Sequence, residues 1–215
     1  MGRHRGDSSG LTRWDGVSAE SLAQALAAPA VDCVEAGVVG PRPGRRLPGA
    51  HRLGLRVTAQ SVYRHPIARV FAGALQVRLG LSAELLERVH TALQEALMNA
   101  MMHGNLGLGE GLRDNRQALA ASRDLIEARF AIGPIARSMI RVEATWSEGL
   151  LRVAVRDNGD GYGSSNLPTL DERMEAGQVG SGRGLLILER LCDHIGLHRG
   201  GTTIALDFRL PAGDG

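Results

Sequence analysis

Hydrophobic and polar residues alternate in four short segments of the chain, which is the pattern of β-strands with one buried face. The first segment spans residues 53–57. The other three span residues 140–146, 151–155 and 204–210, with a Ser-Glu-Gly turn between the first two of them. The pattern therefore predicts one strand early in the domain and three strands late in it.

Between the first and second predicted strands, apolar residues recur every three or four positions, which is the spacing of amphipathic helices. One helix is predicted over residues 61–79, and Gly80 ends it because glycine commonly caps a helix C-terminus. Ser82 then offers the N-cap of a second helix that runs to about Met102. The same spacing predicts further helices over residues 18–28 and 117–130, and from about residue 184.

The first 50 residues differ in composition from the rest. Residues 38–50 are rich in glycine, proline and arginine, which is typical of a linker. Upstream of them, Ser18 is the predicted N-cap of the short helix. We expect residues 1–50 to form an arm or linker, and residues 51–212 to form the main domain, with a polar insertion at about 107–137.

Composition narrows the classes of function. The chain has 215 residues, is 43% hydrophobic and carries a formal net charge of +2, so it can bury a core but gives no general reason to expect nucleic-acid binding. All 25 basic residues are arginine. Without lysine, neither a P-loop nor a protein-kinase fold can be present, because each needs a lysine on the phosphates. Phosphate charge must instead be met by arginine, metal or backbone N–H groups.

The two cysteines, Cys33 and Cys192, lie far apart and match no metal-binding spacing. Two such thiols fit a reducing compartment better than a disulfide framework. The N-terminal residues contain no apolar run long enough for a signal peptide or a membrane span. We therefore expect a soluble cytoplasmic protein that does not associate with a membrane.

The first chemical motif lies in residues 94–105, where polar groups interrupt an otherwise apolar helix. Glu95, Asn99 and His103 are four residues apart, and such positions share roughly one side of a helix. A helix that faces a core avoids Glu and Asn unless something pairs with them. A hydrated divalent cation that holds a nucleotide triphosphate would pair with both.

The second motif is the Asp-Asn-Gly-Asp-Gly sequence that begins at Asp157, after the third predicted strand. Its glycines, Gly159 and Gly161, are typical of a tight turn. Asp157, however, continues the inward side of the strand, and a buried carboxylate needs a partner. The exocyclic amine of adenine, which is a hydrogen-bond donor, would serve.

The third motif is glycine-rich and opens the last predicted helix. Gly180, Gly182 and Gly184 precede Leu185, and closely spaced glycines let backbone N–H groups approach phosphate at a helix N-terminus. Arg183 could neutralise the γ-phosphate. The spacing of the dinucleotide-binding fingerprint is not met. A fourth and weaker element is a pair of threonines entering the last strand, whose hydroxyls could reach the adenine edge through water: Thr202 and Thr203.

Taken in order, these motifs resemble the ATP-binding domain of the superfamily that joins gyrase, MutL, heat-shock chaperones and histidine kinases. Within it, the chain most resembles the bacterial anti-sigma factor serine kinases. The resemblance covers about residues 51–212. It implies an α+β fold, a two-layer sandwich in which helices cover one face of a mixed, mostly antiparallel sheet, with ATP between the layers.

The resemblance also implies roles for individual residues. Glu95 stands where the family keeps the base that activates a water or a serine hydroxyl, and Asn99 matches the Mg²⁺ ligand. Asp157 matches the carboxylate that reads adenine, in a pocket shaped by Gly159 and Gly161. The glycine-rich segment matches the hinge and phosphate loop of the ATP lid: Gly180, Gly182, Gly184 and Leu185. Thr202 (or Thr203) matches the threonine on the adenine side. His103 and Asn105 lie at positions that are often polar in such domains.

Two departures from the family pattern stand out. The family often has a basic residue just before the histidine, whereas this chain has Met102, so one phosphate contact is lost or moved to Arg183. The insertion at residues 107–137 lengthens the segment between Glu95 and Asp157. It could form a partner surface or an extra lid.

The resemblance implies an ATP-dependent regulatory protein, in which ATP and Mg²⁺ serve a serine kinase of the anti-sigma type. Its substrate would be a small anti-anti-sigma-like protein, a sigma factor could be a second partner, direct nucleic-acid contact is not expected, and a homodimer is left open. A detached histidine-kinase domain is an alternative, although His65 lacks the context of a phosphoacceptor. A nucleotide-binding switch without catalysis is the other alternative.

Overall fold

The computed structural model describes residues 10–38, 51–107, 116–147, 149–159 and 183–211. Seven strands lie in these ranges: β1 Leu11–Trp14, β2 Asp32–Glu35, β3 His51–Thr58, β4 Met139–Ser147, β5 Leu150–Arg156, β6 His194–His198 and β7 Thr203–Arg209. Seven α-helices accompany them: α1 Ala19–Leu26, α2 Ala59–Arg64, α3 Ile67–Leu79, α4 Ala83–Asn99, α5 Arg116–Phe130, α6 Gly133–Ala136 and α7 Arg183–Leu191.

The strands form one sheet in the order β1-β2-β3-β4-β5-β7-β6. The pairs β1–β2 and β2–β3 are parallel, and the four pairs from β3 to β6 are antiparallel. Helices cover one face of this sheet. The predicted α+β sandwich with a mixed, mostly antiparallel sheet is therefore confirmed.

Successive side chains of a strand point to opposite faces of the sheet, so every second residue of these strands enters the same hydrophobic core. On the three central strands these are Leu53, Leu55, Val57, Ile140, Val142, Ala144, Leu151, Val153 and Val155. Helix α4 lies over them and buries Val89, Ala92, Leu93, Ala96 and Leu97. Burying a side chain of Val or Leu size contributes roughly 1.5–3 kcal/mol to the free energy of folding. These buried contacts therefore fix the position of α4 over the sheet.

Cap residues set the helix ends that the sequence predicted. The hydroxyl of Ser82 accepts a hydrogen bond from the N–H of Leu85 at the start of α4, and Ser18 caps α1 in the same way. Gly80 adopts a left-handed conformation (φ 60°) after α3, which a side chain with a Cβ would resist. These three predictions are confirmed.

The single helix predicted over residues 61–79 is wrong in one respect, because the chain breaks at Pro66. Helix α2 ends at Arg64, His65 is extended (φ −124°, ψ 150°), and α3 begins at Ile67. Proline has no N–H to donate and disfavours the helical conformation of the residue before it. The apolar spacing continues across the break and hides it.

Residues 11–35 lie in the segment that we expected to be an arm or linker. They add the strands β1 and β2 to the sheet, and the helix α1 connects these two strands. The side chain of Glu35 accepts hydrogen bonds from the Thr58 N–H (2.7 Å), the Thr58 hydroxyl (3.1 Å) and the Ser61 hydroxyl (2.8 Å). Arg78 donates to two carbonyl oxygens of the same unit. These contacts anchor the unit to β3, α2 and α3. Residues 1–9 and 39–50 of the expected arm lie outside the described residues.

The remaining elements follow the predictions except at β6. Helix α5 covers the predicted 117–130 segment, and α7 begins at 183. The sequence analysis did not predict β6, a short strand that contains a glycine and two histidines. Within the described ranges, no helix combines the length and apolarity needed to cross a membrane.

Candidate functional site

A pocket that is partly open to solvent lies between the C-terminal end of α4 and strands β5 and β7. It brings together Asn99 and Asp157, which come from two different sequence motifs. The lining consists of Ala96, Asn99, Ala100, His103, Gly104, Val155, Asp157, Gly201 and Ile204. The pocket is therefore apolar on its floor and polar at a few positions, as small-molecule sites commonly are.

Helix α4 does not end as an α-helix but continues as a π-helical turn over Ala100–Asn105. Such turns are rare and often occur at functional sites, because the extra residue changes which side chains face a groove. Here Met101 and Met102 are buried in the core, whereas His103 and Gly104 line the pocket. Met102 is part of the core and does not line the pocket.

Asp157 follows β5 directly and is 8% exposed. Its N–H donates to the carbonyl oxygen of Thr202 (3.1 Å), and its Oδ1 accepts a hydrogen bond from the N–H of Gly159 (2.8 Å). Burial raises the pKa of this carboxyl, while the hydrogen bond from Gly159 opposes the shift. An additional donor from a ligand would stabilise the ionised carboxylate.

Two glycine backbones pack against this carboxylate. A Cβ at position 104 would lie 2.6 Å from Oδ1 of Asp157 and 2.8 Å from its Oδ2. A Cβ at position 159 would overlap the carbonyl oxygen of Gly104. The turn after β5 and the π-helical turn are thus in backbone contact, which only glycine at both positions permits.

Asn105 supplies a second polar group beside the Asp157 turn. Its Oδ1 lies 3.4 Å from the N–H of Asn158, which donates to it. Its Nδ2 is buried and has no hydrogen-bond partner among the described residues. A buried donor without an acceptor is costly, so this amide is suited to an acceptor oxygen of a ligand.

Glu95 and Asn99 are half-buried on α4 and face the first turn of α7. A Cβ at Gly184 would overlap Oε1 of Glu95 and would lie 3.0 Å from Nδ2 of Asn99. The N-terminal end of α7, which carries the positive end of the helix dipole, is therefore held beside the Glu95 carboxylate. At the other end of α7, Arg88 donates to the carbonyl oxygen of Leu191 (2.9 Å).

The two adjacent threonines differ in position, because Thr203 is the first residue of β7 and Thr202 lies in the turn before it. Strand register pairs Thr203 with Arg156, on the face away from the pocket. Thr202 is one residue earlier and accepts the Asp157 N–H through its carbonyl oxygen, while its hydroxyl donates to the carbonyl oxygen of Arg199 (3.1 Å). Of the two, Thr202 is the residue adjacent to Asp157.

Not every predicted site residue falls within the described residues. Gly161, Gly180 and Gly182 lie outside them. Arg183 begins α7, but its side chain lies outside the described part. Leu185, on the first turn of α7, packs against the hydrophobic core.

The sequence analysis missed the contribution of Gly104. The signal was a glycine directly after His103 at the end of the helical pattern, where a close backbone approach is common. In the part of the chain that the structure describes, no cluster of three or more His, Cys, Asp or Glu side chains could hold a metal. A Mg²⁺ ion at Asn99 would therefore take its other ligands from phosphate and water.

The insertion forms a second pocket with α2. It is partly open to solvent and is lined by Gln60, Tyr63, Arg64, Glu127, Phe130 and Ala131. The rings of Tyr63 and Phe130 lie 5.5 Å apart and join the two helices. That this part of the insertion serves as a partner surface or an extra lid stays a prediction.

Comparison with protein families gives one match. The model of the histidine kinase-like ATPase domain matches residues 57–208, a segment that contains every residue of the pocket beneath α4. The search among curated proteins found no match to the chain.

Proposed function

Because the chain belongs to the histidine kinase-like ATPase domain family, we propose that it is an ATP-dependent regulatory kinase that phosphorylates a serine of a small anti-anti-sigma-like protein. The observation that carries the proposal is the shared pocket of Asn99 and Asp157. The carboxylate of Asp157 is available for the adenine base, and the amide of Asn99 is available for Mg²⁺. Both line one pocket, as the binding of a single nucleotide requires.

The adenine end of the site is assigned to Asp157. Its carboxylate is buried, and burial raises its pKa, so an amine donor from a base would favour its ionised form. Glycine at 104 and 159 leaves the backbone close to this carboxylate, which gives a flat base a narrow slot.

The phosphate end is assigned to the region between Asn99 and the first turn of α7. Gly184 lies against both Glu95 and Asn99, so the backbone at the helix N-terminus faces the same space. A helix N-terminus is a common anion-binding position. Asn99 would hold Mg²⁺, and Arg183 would stabilise the transferred charge because the chain contains no lysine.

Glu95 is the proposed general base. When bound, Mg²⁺ and ATP supply the γ-phosphoryl group that the serine oxygen attacks, with ADP as the leaving group. Glu95 orients the serine hydroxyl and takes its proton, a contribution of roughly 10²–10⁴-fold in such reactions. The proposal therefore separates binding, which depends on Asp157 and Asn99, from transfer, which depends on Glu95.

The first experiment measures binding of a fluorescent ATP analogue to the purified chain with and without Mg²⁺. We expect Mg²⁺-dependent binding that Asn99→Ala and Asp157→Asn each weaken by about tenfold or more. Binding that is unaffected by either substitution would contradict the site.

The second experiment incubates the chain with labelled ATP and the small proteins encoded by neighbouring genes. Acid-stable, alkali-labile phosphate on a serine of a partner supports the kinase proposal. Alkali-stable, acid-labile phosphate on the chain itself would favour the histidine-kinase alternative. Tight binding of ATP with no transfer to any partner would favour a nucleotide-binding switch.

A further inference from the structure

The sheet face away from the helices is rich in charge. We call it the open face, and define it by the strand residues whose side chains alternate with those of the core. Its charged members are Arg13, Asp32, Arg52, Arg56, Arg141, Glu143, Arg152, Arg156, Asp207 and Arg209. The single hydrophobic core is built from the opposite set of strand residues.

The open face has a charge of opposite sign to the rest of the molecule. Its seven arginines and three carboxylates give a formal charge of +4, whereas the whole chain has +2. The rest of the chain therefore carries −2. A small protein of nearly neutral charge thus presents one strongly basic surface, and such a surface attracts anionic partners.

Strand register concentrates this charge into a row. Arg56 on β3 is directly opposite Arg141 on β4, and Arg141 is directly opposite Arg156 on β5. Neighbouring strands are about 4.8 Å apart, so three guanidinium-bearing positions fall within about 10 Å. Like charges directly opposite one another destabilise a sheet. The row therefore has a cost that an anion would relieve.

The carboxylates of the open face compensate only part of this charge. Arg52 donates to both Asp32 (2.8 Å) and Glu143 (3.2 Å), and Arg141 also donates to Glu143. Arg152 holds Asp207 through two hydrogen bonds of 2.7 Å. Asp32 and Glu143 thus accept hydrogen bonds from the central arginines. Asp207, the third carboxylate, accepts hydrogen bonds from Arg152 where β5 pairs with β7.

Three arginines of the open face are exposed and, within the described ranges, form no ion pair with a carboxylate: Arg13, Arg156 and Arg209. Arg56 is buried at the centre of the row. Burial is the largest cause that lowers the pKa of Arg56, and repulsion from Arg141 and Arg52 lowers it further. The negative charge of Asp32 opposes the shift. Arg56 therefore lies among arginines of the same charge as well as near Asp32.

We propose that the open face is the docking surface for an acidic segment of a partner protein. The planar guanidinium groups bind carboxylates in a bidentate manner. The three carboxylates interleaved with the arginines offer hydrogen-bond acceptors to the N–H groups of a peptide, and a phosphate backbone has no such donors. A second copy of the chain is disfavoured because it would bring a like charge of +4 to the same face.

This surface goes beyond the proposed kinase activity, because it lies on the side of the sheet away from the nucleotide pocket. A protein bound there does not place its hydroxyl beside Glu95. The open face is therefore an interface for a regulator or a second partner, and it is separate from the serine that receives phosphate.

The test uses the full chain and a labelled glutamate-rich peptide, with a glutamine-for-glutamate peptide and a DNA duplex as comparison probes. The open-face variant is Arg13→Glu with Arg156→Glu, since both residues are exposed. The matched control is Arg69→Glu with Arg190→Glu, which reverses two exposed arginines on helices α3 and α7. Both double variants change the net charge equally.

We expect salt-sensitive binding of the acidic peptide to wild type and control, and binding at least about tenfold weaker in the open-face variant. Equal weakening in both variants, or no binding by wild type, would overturn the proposal. Tighter binding of the duplex, lost in the open-face variant, would assign the face to nucleic acid and overturn it as well. So would a dimer that only the open-face variant loses.

Two further measurements keep the result interpretable. The melting temperature of both double variants should match wild type, because the substituted side chains are exposed. ATP-analogue affinity is compared between Arg13→Glu and Arg69→Glu, which should both match wild type, because the charge of Arg156 acts on the Asp157 carboxyl of the pocket. If the charge reversals prevent folding, Arg13→Gln with Arg156→Gln removes the two charges without adding negative ones. That variant should still weaken peptide binding, and unchanged binding would contradict the proposal. Loss of ATP binding alone would count against the kinase proposal and not against the docking surface.

Discussion

The backbone of Gly104 lies directly against the carboxylate of Asp157, so a side chain at position 104 would occupy the space of the carboxylate oxygens. The contact joins the π-helical turn after α4 to the turn after β5. Both turns contribute residues to the pocket that we assign to ATP.

We expect Gly104→Ala to weaken ATP binding by about tenfold or more, because the methyl group must displace Asp157. Overpacking of this kind costs roughly 1–3 kcal/mol in folding stability. Gly73→Ala on α3 is the control, since a Cβ there meets nothing within 4 Å. The control should bind ATP normally and gain up to about 1 kcal/mol from helix propensity. Fluorescence titration and urea denaturation measure the two effects.

Glu95→Ala should lower the rate of phosphate transfer at least about 10²-fold and change the affinity for ATP by less than about threefold. The expected split arises because a general base acts in the transition state and not in nucleotide binding. Glu87→Ala provides the control on the same helix, since its side chain is 76% exposed. A Glu95→Ala variant that still phosphorylates its partner at the wild-type rate would remove Glu95 from the proposed role.

Asp157→Asn should weaken ATP binding by about tenfold and also make the nucleotide-free protein more stable at neutral pH. Burial raises the pKa of Asp157 above 3.8, so the native state holds the extra proton between the unfolded and folded pKa values. Stability therefore falls as pH rises through that window, and the loss is complete above the folded pKa. Asparagine avoids this loss.

Asp15 provides the contrast, because its pKa is lowered by hydrogen bonds from the Val17 N–H and the Ser21 hydroxyl. Its ionised form is favoured on folding, so Asp15→Asn should destabilise the protein at neutral pH, with an effect that disappears in acid. Thermal melting of both variants between pH 3 and pH 7 checks the two signs. Shifts of the same sign for Asp157→Asn and Asp15→Asn would contradict the assignment.

Gly184→Ala should impair phosphate transfer more than adenine recognition. The added Cβ would overlap Oε1 of Glu95 and approach Asn99, so the first turn of α7 must move away from both. We expect transfer to fall by about tenfold or more, while ADP, which lacks the γ-phosphate, loses less affinity than ATP. Parallel titrations with ADP and ATP measure this difference. Equal loss for the two nucleotides would place Gly184 away from the terminal phosphate.

Glu35→Gln should lower the free energy of unfolding by roughly 1–3 kcal/mol, because the carboxylate accepts three hydrogen bonds in a buried position. The glutamine amide can accept through one atom only, and its NH₂ group would face donors. Glu87→Gln, with its exposed side chain, should stay within about 0.5 kcal/mol of wild type. Urea denaturation compares the two. Similar small effects would mean that Glu35 does not anchor the N-terminal unit.

The elements that the sequence could predict are those with a long periodic pattern. Helix α4 spans 17 residues and carries a continuous apolar stripe, so its face and its N-cap follow from local spacing. Strands β4 and β5 alternate over seven residues or more and were found for the same reason. In these segments local preference and tertiary packing agree.

Short elements escaped prediction because their stability comes from pairing. Strands β1 and β2 have four residues each, too few to establish an alternation, and β2 is defined by its register with β3. The π-helical turn keeps the composition of a helix, so the local spacing of residues does not indicate its altered geometry. Proline at position 66 indicated a break in the helix. The apolar spacing continues across Pro66, however, and predicted one uninterrupted helix.

The candidate site was predictable as a set of motifs but not as a geometry. The order of Glu95, Asn99 and Asp157 along the chain indicated a nucleotide site, and Asn99 and Asp157 do share a pocket. The close contact of Gly104 with Asp157 joins residues distant in sequence, and no local pattern encodes it. The same holds for Gly184 and Glu95.

The N-terminal unit changes which edge of the sheet is available to other polypeptides. Because β2 pairs with Gly54–Arg56 along one side of β3 and β4 pairs with β3 along the other, the central residues of β3 have no open hydrogen-bonding edge. Among the described strands, the outermost one on that side is β1, which is four residues long. Strand addition by another chain, a common route to both assembly and aggregation, is therefore limited there to a very short segment.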